Sequence, residues 1–168
     1  MSKNKIPTIN QMNWFSTIPQ LIFMGILIIF YYLLNINDPI LWGALTYLVL
    51  SYGLKFFFAK DHNKGIKLIK LNDYTEAINS FEKSVEYFQK NRWIDKYRFL
   101  TLLSSSNLSY IEMDLNNIAF CYAQIGNGDQ AKYYYQKVLN EFPDSTLAKT
   151  ALNILKSGEN IVSKKTIF

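Results

Sequence analysis

One histidine and one cysteine serve all 168 residues. With His62 alone, no histidine-based metal cluster can be assembled within the chain. Cys121 alone excludes intrachain disulfides and fits a reducing compartment. In the middle of an apolar helix pattern, it reads as a small buried packing residue rather than a nucleophile. No glycine-rich phosphate loop is present, and Asp61, Asp95, Glu112 and Asp114 read as solvated helix faces and caps. No enzyme, cofactor or metal is expected on these grounds. Acidic charge is scarce too: from Lys5 to Lys55 the sole formal charge between them is Asp38. The first sixty residues supply three of the five net positive charges, and the remainder balances 14 basic against 12 acidic residues without a block. That distribution argues against a nucleic-acid partner, which would call for a clustered basic patch.

Asp38 divides two apolar runs, Thr17 to Leu34 and Ile40 to Leu54. A membrane-crossing helix needs about 20 mostly apolar residues for a hydrocarbon core roughly 30 Å thick, because every backbone polar group there must be bonded within the helix. With their ends included, the runs predict transmembrane helices at about 17–35 and 39–58, within a two-helix anchor over residues 1–60. No small-residue cleavage site of the Ala-x-Ala kind follows the first run, which distinguishes it from a signal peptide. Neither run has a polar stripe at helical spacing, which distinguishes the pair from a buried soluble hairpin. Trp14, Phe15, Tyr31, Tyr32 and Trp42 sit near the ends, where aromatic rings favour the membrane interface. Asp38-Pro39 reads as a cap followed by proline at the start of the second helix. Lys3 and Lys5 precede the first run, and Lys55, Lys60, Lys64, Lys67 and Lys70 follow the second, whereas the connecting loop has no positive charge. By the positive-inside rule both termini are expected on the cytoplasmic side. Abundant Asn, Lys and Ile suggest an AT-rich bacterial genome, hence a bacterial cytoplasmic membrane.

About 108 residues remain, enough for one small domain, and they contain an internal repeat. Gly65, Leu68, Asn72, Ala77, Phe81 and Ser84 align in register with Ala119, Tyr122, Gly126, Ala131, Tyr135 and Val138. A small residue in the first helix and an alanine early in the second let two antiparallel helices approach, while large neighbours fill the space beside them. Asp73 before Glu76, Ser109 before Glu112 and Asn127 before Gln130 have capping-box spacing and mark helix starts. The pattern Leu115, Ile118, Ala119, Tyr122, Gly126, Ala131, Tyr135, Val138 and Pro143 resembles the tetratricopeptide repeat, and the whole resembles small membrane-anchored bacterial proteins of that family. The first copy has charged Asp61 and Lys64 in its opening turn, so its first helix begins late or runs on from the second membrane helix.

The expected fold is therefore all-α: a transmembrane hairpin, then a short helical solenoid over 61–158. Its repeats fall at about 61–90 and 112–145, an insert at about 91–110, a capping helix at 145–156, and a flexible tail at 159–168. Ala77 and Ala131 are 54 residues apart, against about 34 for adjacent repeats, and the insert accounts for the excess. The resemblance implies a groove that holds a peptide or helix of another protein, lined by His62, Ile66, Ile69, Lys70, Asn116, Phe120, Ala123 and Gln124. Trp93, Tyr97 and Leu100 share a helical face of the insert. They either pack against the repeats or, with Arg92 and Arg98, form a partner patch. The expected function is a membrane-tethered adaptor or scaffold. The alternative is a structural subunit whose hairpin makes the specific contacts within a membrane assembly. Lipid bilayer and another protein are the expected partners, and two repeats make a groove shallow enough for homo-oligomer formation to complete it.

Overall fold

The structure, a computed structural model, describes residues 14–104 and 106–165, with side chains over 17–158. Lys3, Lys5, the rings of Trp14 and Phe15, and the last three residues of the expected tail lie outside the described residues. Helices account for nearly all of it: α1 (Trp14–Leu33), α2 (Pro39–Phe58), α3 (Lys60–Lys70), α4 (Tyr74–Lys90), α5 (Arg92–Lys96), α6 (Arg98–Thr101), α7 (Tyr110–Gln124), α8 (Gly128–Glu141) and α9 (Thr146–Lys165).

Helices α1 and α2 form an antiparallel hairpin. A Cβ on Gly43 would stand 2.7 Å from the Ile28 Cγ1 atom and 3.0 Å from its Cα, so only glycine allows this approach. Tyr31 and Thr46 share a hydroxyl hydrogen bond of 2.8 Å, and Tyr47 donates to Gln20 Oε1 at 3.2 Å. Between the helices, Asn35 takes a left-handed conformation (φ 52°) that asparagine tolerates. Ile36 N–H bonds Tyr31 C=O and Asn35 N–H bonds Tyr32 C=O, which closes α1 as a Schellman motif. Asp38 departs from the expected cap: its backbone is left-handed (φ 58°) and its carboxylate makes no capping bond. Pro39 has no N–H to offer in that first turn, so the helix starts on proline geometry instead.

Only α2, among the described residues, is both long and apolar enough to cross a membrane; the apolar part of α1, Thr17–Leu33, is shorter. Just 11% of the spanning window in α2 is buried within the protein. The helix passes into α3 through one residue, buried Ala59, whose N–H bonds Lys55 C=O and whose C=O accepts from Asn63 N–H. The opening helix of the first repeat thus runs on from the hairpin.

Helices α3, α4, α7 and α8 pack in succession as two antiparallel pairs, and α9 covers α8. The same device turns each pair. Asn72 (φ 59°) and Gly126 (φ 79°) occupy the left-handed position, the Asp73 and Asn127 N–H groups reach back to Leu68 and Tyr122 C=O, and those two side chains then accept from Glu76 and Gln130 N–H. One residue therefore ends one helix and caps the next. Inside each pair a small residue meets a ring: a Cβ on Gly65 would lie 2.6 Å from the Phe81 ring, and buried Ala119 and Tyr135 take the equivalent places. Phe81, Phe88, Leu115, Ile118 and Val138 are fully buried in the shared core. Buried Ala148 and Leu152 bring α9 onto it. That helix continues to Lys165, past the expected stop before Gly158 and into the segment expected to be a flexible tail. A lone glycine costs about 1 kcal/mol in a helix interior and does not end one without a proline or a C-cap turn.

Candidate functional site

Two surfaces carry the sequence-predicted residues. The first is the α3–α7 face. Ile66 and Ile69 are half-buried against the core, Lys70 is exposed, and on α7 Phe120 and Gln124 are exposed with Ala123 half-buried between them. The Tyr74 ring meets Phe120 edge-on at 6.3 Å and supports its outward position. His62 and Asn116 have other work. His62 Nδ1 lies 2.5 Å from Asp114 Oδ1, its ring meeting Tyr110 edge-on at 5.1 Å, and Asn116 donates to Glu112 C=O while buried.

The second surface is the insert. Helix α4 ends at Lys90 with Asn91 as its C-cap, and two short helices, α5 and α6, follow in the insert. Ile94 and Leu102 turn inward and are buried, whereas Trp93, Tyr97 and Leu100 remain 61%, 46% and 56% exposed. Those three therefore present an apolar face outward instead of packing on the repeats. Arg92, Trp93, Tyr97 and Arg98 line a single cleft of about 710 Å³, with Lys96, Ile111 and Phe142 also on its walls. Within it Arg98 is bound to the protein's own backbone: it donates to the carbonyls of Asp95, Ser106 and Asn107 at 3.1, 3.1 and 2.6 Å. Arg92 lies 3.7 Å from Glu141.

Three carboxylates expected on solvated faces are in fact buried. Asp95 accepts from Tyr110 N–H at 2.7 Å and Ile111 N–H at 3.1 Å, so a residue of the insert satisfies the first turn of α7. Burial raises its pKa, against the pull of those two backbone bonds. Burial likewise raises Glu112 and Asp114, the latter opposed by His62. The cause is the place of α7, which packs against α3, α4 and α8. A signal for Asp114 existed: Ile111, Asp114, Leu115 and Ile118 form one i, i+3, i+4, i+7 stripe, so the acid lies on the core face. Asp95 had none, because its bonds join segments 15 and 16 residues apart. Cys121 is fully buried as expected, and burial pushes its thiol up to about 11, far from thiolate chemistry at neutral pH.

Among the described residues no group of three or more His, Cys, Asp or Glu side chains is arranged to hold a metal ion. Neither the curated proteins nor the solved structures contain a match to the chain. Family models do match: residues 62–91, spanning α3 and α4, fit a tetratricopeptide repeat, and residues 117–145, from mid-α7 through α8, fit a second. Two matched segments, each turned by the same motif and packed small residue to ring, support the tetratricopeptide repeat family for this chain.

Proposed function

We propose that this protein is an adaptor of a bacterial cytoplasmic membrane, held by its α1–α2 hairpin and presenting its repeats to a cytoplasmic protein. Tetratricopeptide repeats suggest a role in protein–protein interaction, and proteins of this kind are typically adaptors rather than enzymes. The observation that carries the reading is the pairing of two such repeats with a hairpin whose large apolar side chains face outward. Leu21, Ile22, Ile29 and Phe30 on α1 and Ile40, Leu41, Leu48 and Val49 on α2 are all more than half exposed. Exposed apolar surface on that scale calls for a partner, and lipid fits a helix of this length and composition. Lys55 and Lys60, at the repeat-bearing end, favour the cytoplasmic side.

The binding face is the α3–α7 surface of Ile66, Ile69, Lys70, Phe120, Ala123 and Gln124. Its mixture of apolar and amide groups with one cation suits an apolar peptide segment or the apolar stripe of a helix. Phe120→Ala in the full-length chain tests it: capture of a partner from solubilised membranes should fall while helical content is unchanged. Undiminished capture would move the binding face elsewhere. The alternative, a subunit whose hairpin makes the specific contacts, draws support from Gln20, a buried amide within that hairpin. Replacing residues 17–58 by an unrelated two-helix anchor separates the readings, since an adaptor keeps its partner and such a subunit loses its assembly.

A further inference from the structure

The insert holds more apolar surface outside the protein than its packing requires. Ile94 and Leu102 already serve the core, yet Trp93 on α5, Leu100 on α6 and Tyr97 at the joint between them stand exposed. Their backbone is held firmly, by the three carbonyl bonds of Arg98, by Asp95 on the first turn of α7, and by Thr101 Oγ1 donating to Ile94 C=O at 2.7 Å. A rigid scaffold thus presents a tryptophan, a tyrosine whose ring meets Phe99 edge-on at 6.3 Å, and a leucine, all largely exposed.

The position of the insert indicates what covers them. Helix α6 abuts α1. Because α1 and α2 are antiparallel, with Gln20 beside Tyr47 and Ile28 beside Gly43, the start of α1 lies next to the end of α2, where the chain enters α3 through Ala59. Helix α4 returns along α3, and Tyr110 meets both Phe88 near the end of α4 and His62 in the first turn of α3, so the insert that joins α4 to α7 sits at the repeat-bearing end of the hairpin, near where Lys55 and Lys60 leave the apolar run. Tryptophan and tyrosine favour the headgroup layer, and lysine and arginine reach from apolar surface towards phosphate. Arg92 and Lys96 flank the exposed rings, Lys96 Nζ standing 5.6 Å from the Tyr97 ring centre. Glu141 draws on Arg92, which leaves Lys96 as the main headgroup contact.

We infer that α5 and α6 dock onto the headgroup layer of an anionic phospholipid bilayer, with Trp93, Tyr97 and Leu100 entering the interface and Lys96 and Arg92 facing the phosphates. This rests on the membrane reading of the hairpin. It makes the insert a third point of attachment, which fixes how the repeats stand on the membrane instead of leaving them to swing about Ala59. The α3–α7 face then keeps one orientation to the surface.

The full-length chain in vesicles of phosphatidylcholine with phosphatidylglycerol provides the test, read by quenching with lipids brominated along the acyl chain. Trp14→Phe with Trp42→Phe leaves Trp93 as the only reporter, and Trp14→Phe with Trp93→Phe leaves Trp42 in the hairpin. Docking predicts a blue-shifted Trp93 emission, quenched best by bromine near the headgroup, and loss of both effects when Arg92→Glu and Lys96→Glu are added. Quenched Trp42 beside a water-like, unquenched Trp93 overturns the docking and leaves the hairpin in the membrane. Trp93 quenching that survives the two charge reversals overturns the anionic-headgroup assignment. If neither tryptophan is quenched, the membrane reading fails and the inference with it.

Discussion

His62 Nδ1 and Asp114 Oδ1 stand 2.5 Å apart in a hydrogen bond that joins the first turn of α3, just beyond the hairpin, to α7. Asp114 is fully buried, so this contact decides whether a carboxylate can be tolerated there. His62→Ala should cost about 1–3 kcal/mol of domain stability, the penalty of leaving a buried polar group without its hydrogen-bond partner. Urea unfolding in detergent, followed by circular dichroism, measures it. A loss below about 1 kcal/mol, the range of exposed pairs, would show that the contact does not persist in solution.

Burial raises the pKa of Asp95, Glu112 and Asp114 alike. A carboxyl group raised in the folded state binds its proton more tightly there than in the unfolded chain, where the pKa is near 3.9–4.3. The stability these groups contribute is therefore fully present below that range and is lost as pH rises through their folded values. The domain should be more stable in mild acid than at neutral pH. Asp114→Asn, which keeps a hydrogen-bonding group beside His62 Nδ1, should flatten that slope in pH-dependent thermal melts; an unchanged slope would remove Asp114 as a contributor.

Gly65 faces the Phe81 ring where a Cβ would stand at 2.6 Å. Gly65→Ala should destabilise the first repeat by about 1–3 kcal/mol, the range for overpacking, despite alanine's better helix propensity. Adding Phe81→Leu should recover part of the loss. Stabilisation by Gly65→Ala alone would mean that the helices separate at no cost.

Much of this architecture is legible in the amino-acid sequence, and the portions that are not share a physical reason. Asn72 with Gly126, and Asp73 with Asn127, were readable because turns and caps are written in consecutive residues. The role of Asp95 was not, since its partners Tyr110 and Ile111 lie across the insert, and composition gives no hint of which loop acid will fold back onto a helix end. Repeat register puts His62 and Asn116 on the groove helices, but it does not fix whether a polar side chain on a helix flank turns inward to a bond. The hairpin followed from run length, whereas the contact of α6 with α1 depends on tertiary packing that no periodicity encodes.

Asp95→Ala would leave the Tyr110 and Ile111 N–H groups without their acceptor. The expected cost is about 1–2 kcal/mol, that of a lost helix cap. Amide hydrogen exchange should accelerate over the first turn of α7 and the insert while α8 and α9 stay protected. Uniform acceleration would show that the insert and α7 do not form a local unit.

Cys121 combines complete burial with a thiol pushed up to about 11. Maleimide labelling at neutral pH should therefore be slow in the folded protein and should rise with urea along the same transition as the loss of helix. Rapid labelling under native conditions would reveal an opening of α7 that this packing does not allow.

Photocrosslinking in intact membranes reads out whether the repeats of a membrane-held chain bind a protein through the α3–α7 face. A benzoylphenylalanine placed at Phe120, exposed on that face, is compared with one at Asn140, exposed on α8. A discrete crosslinked partner is expected from position 120, recovered in the membrane fraction, and none from position 140. Equal crosslinking at both positions, or a chain found wholly outside the membrane fraction, would contradict it.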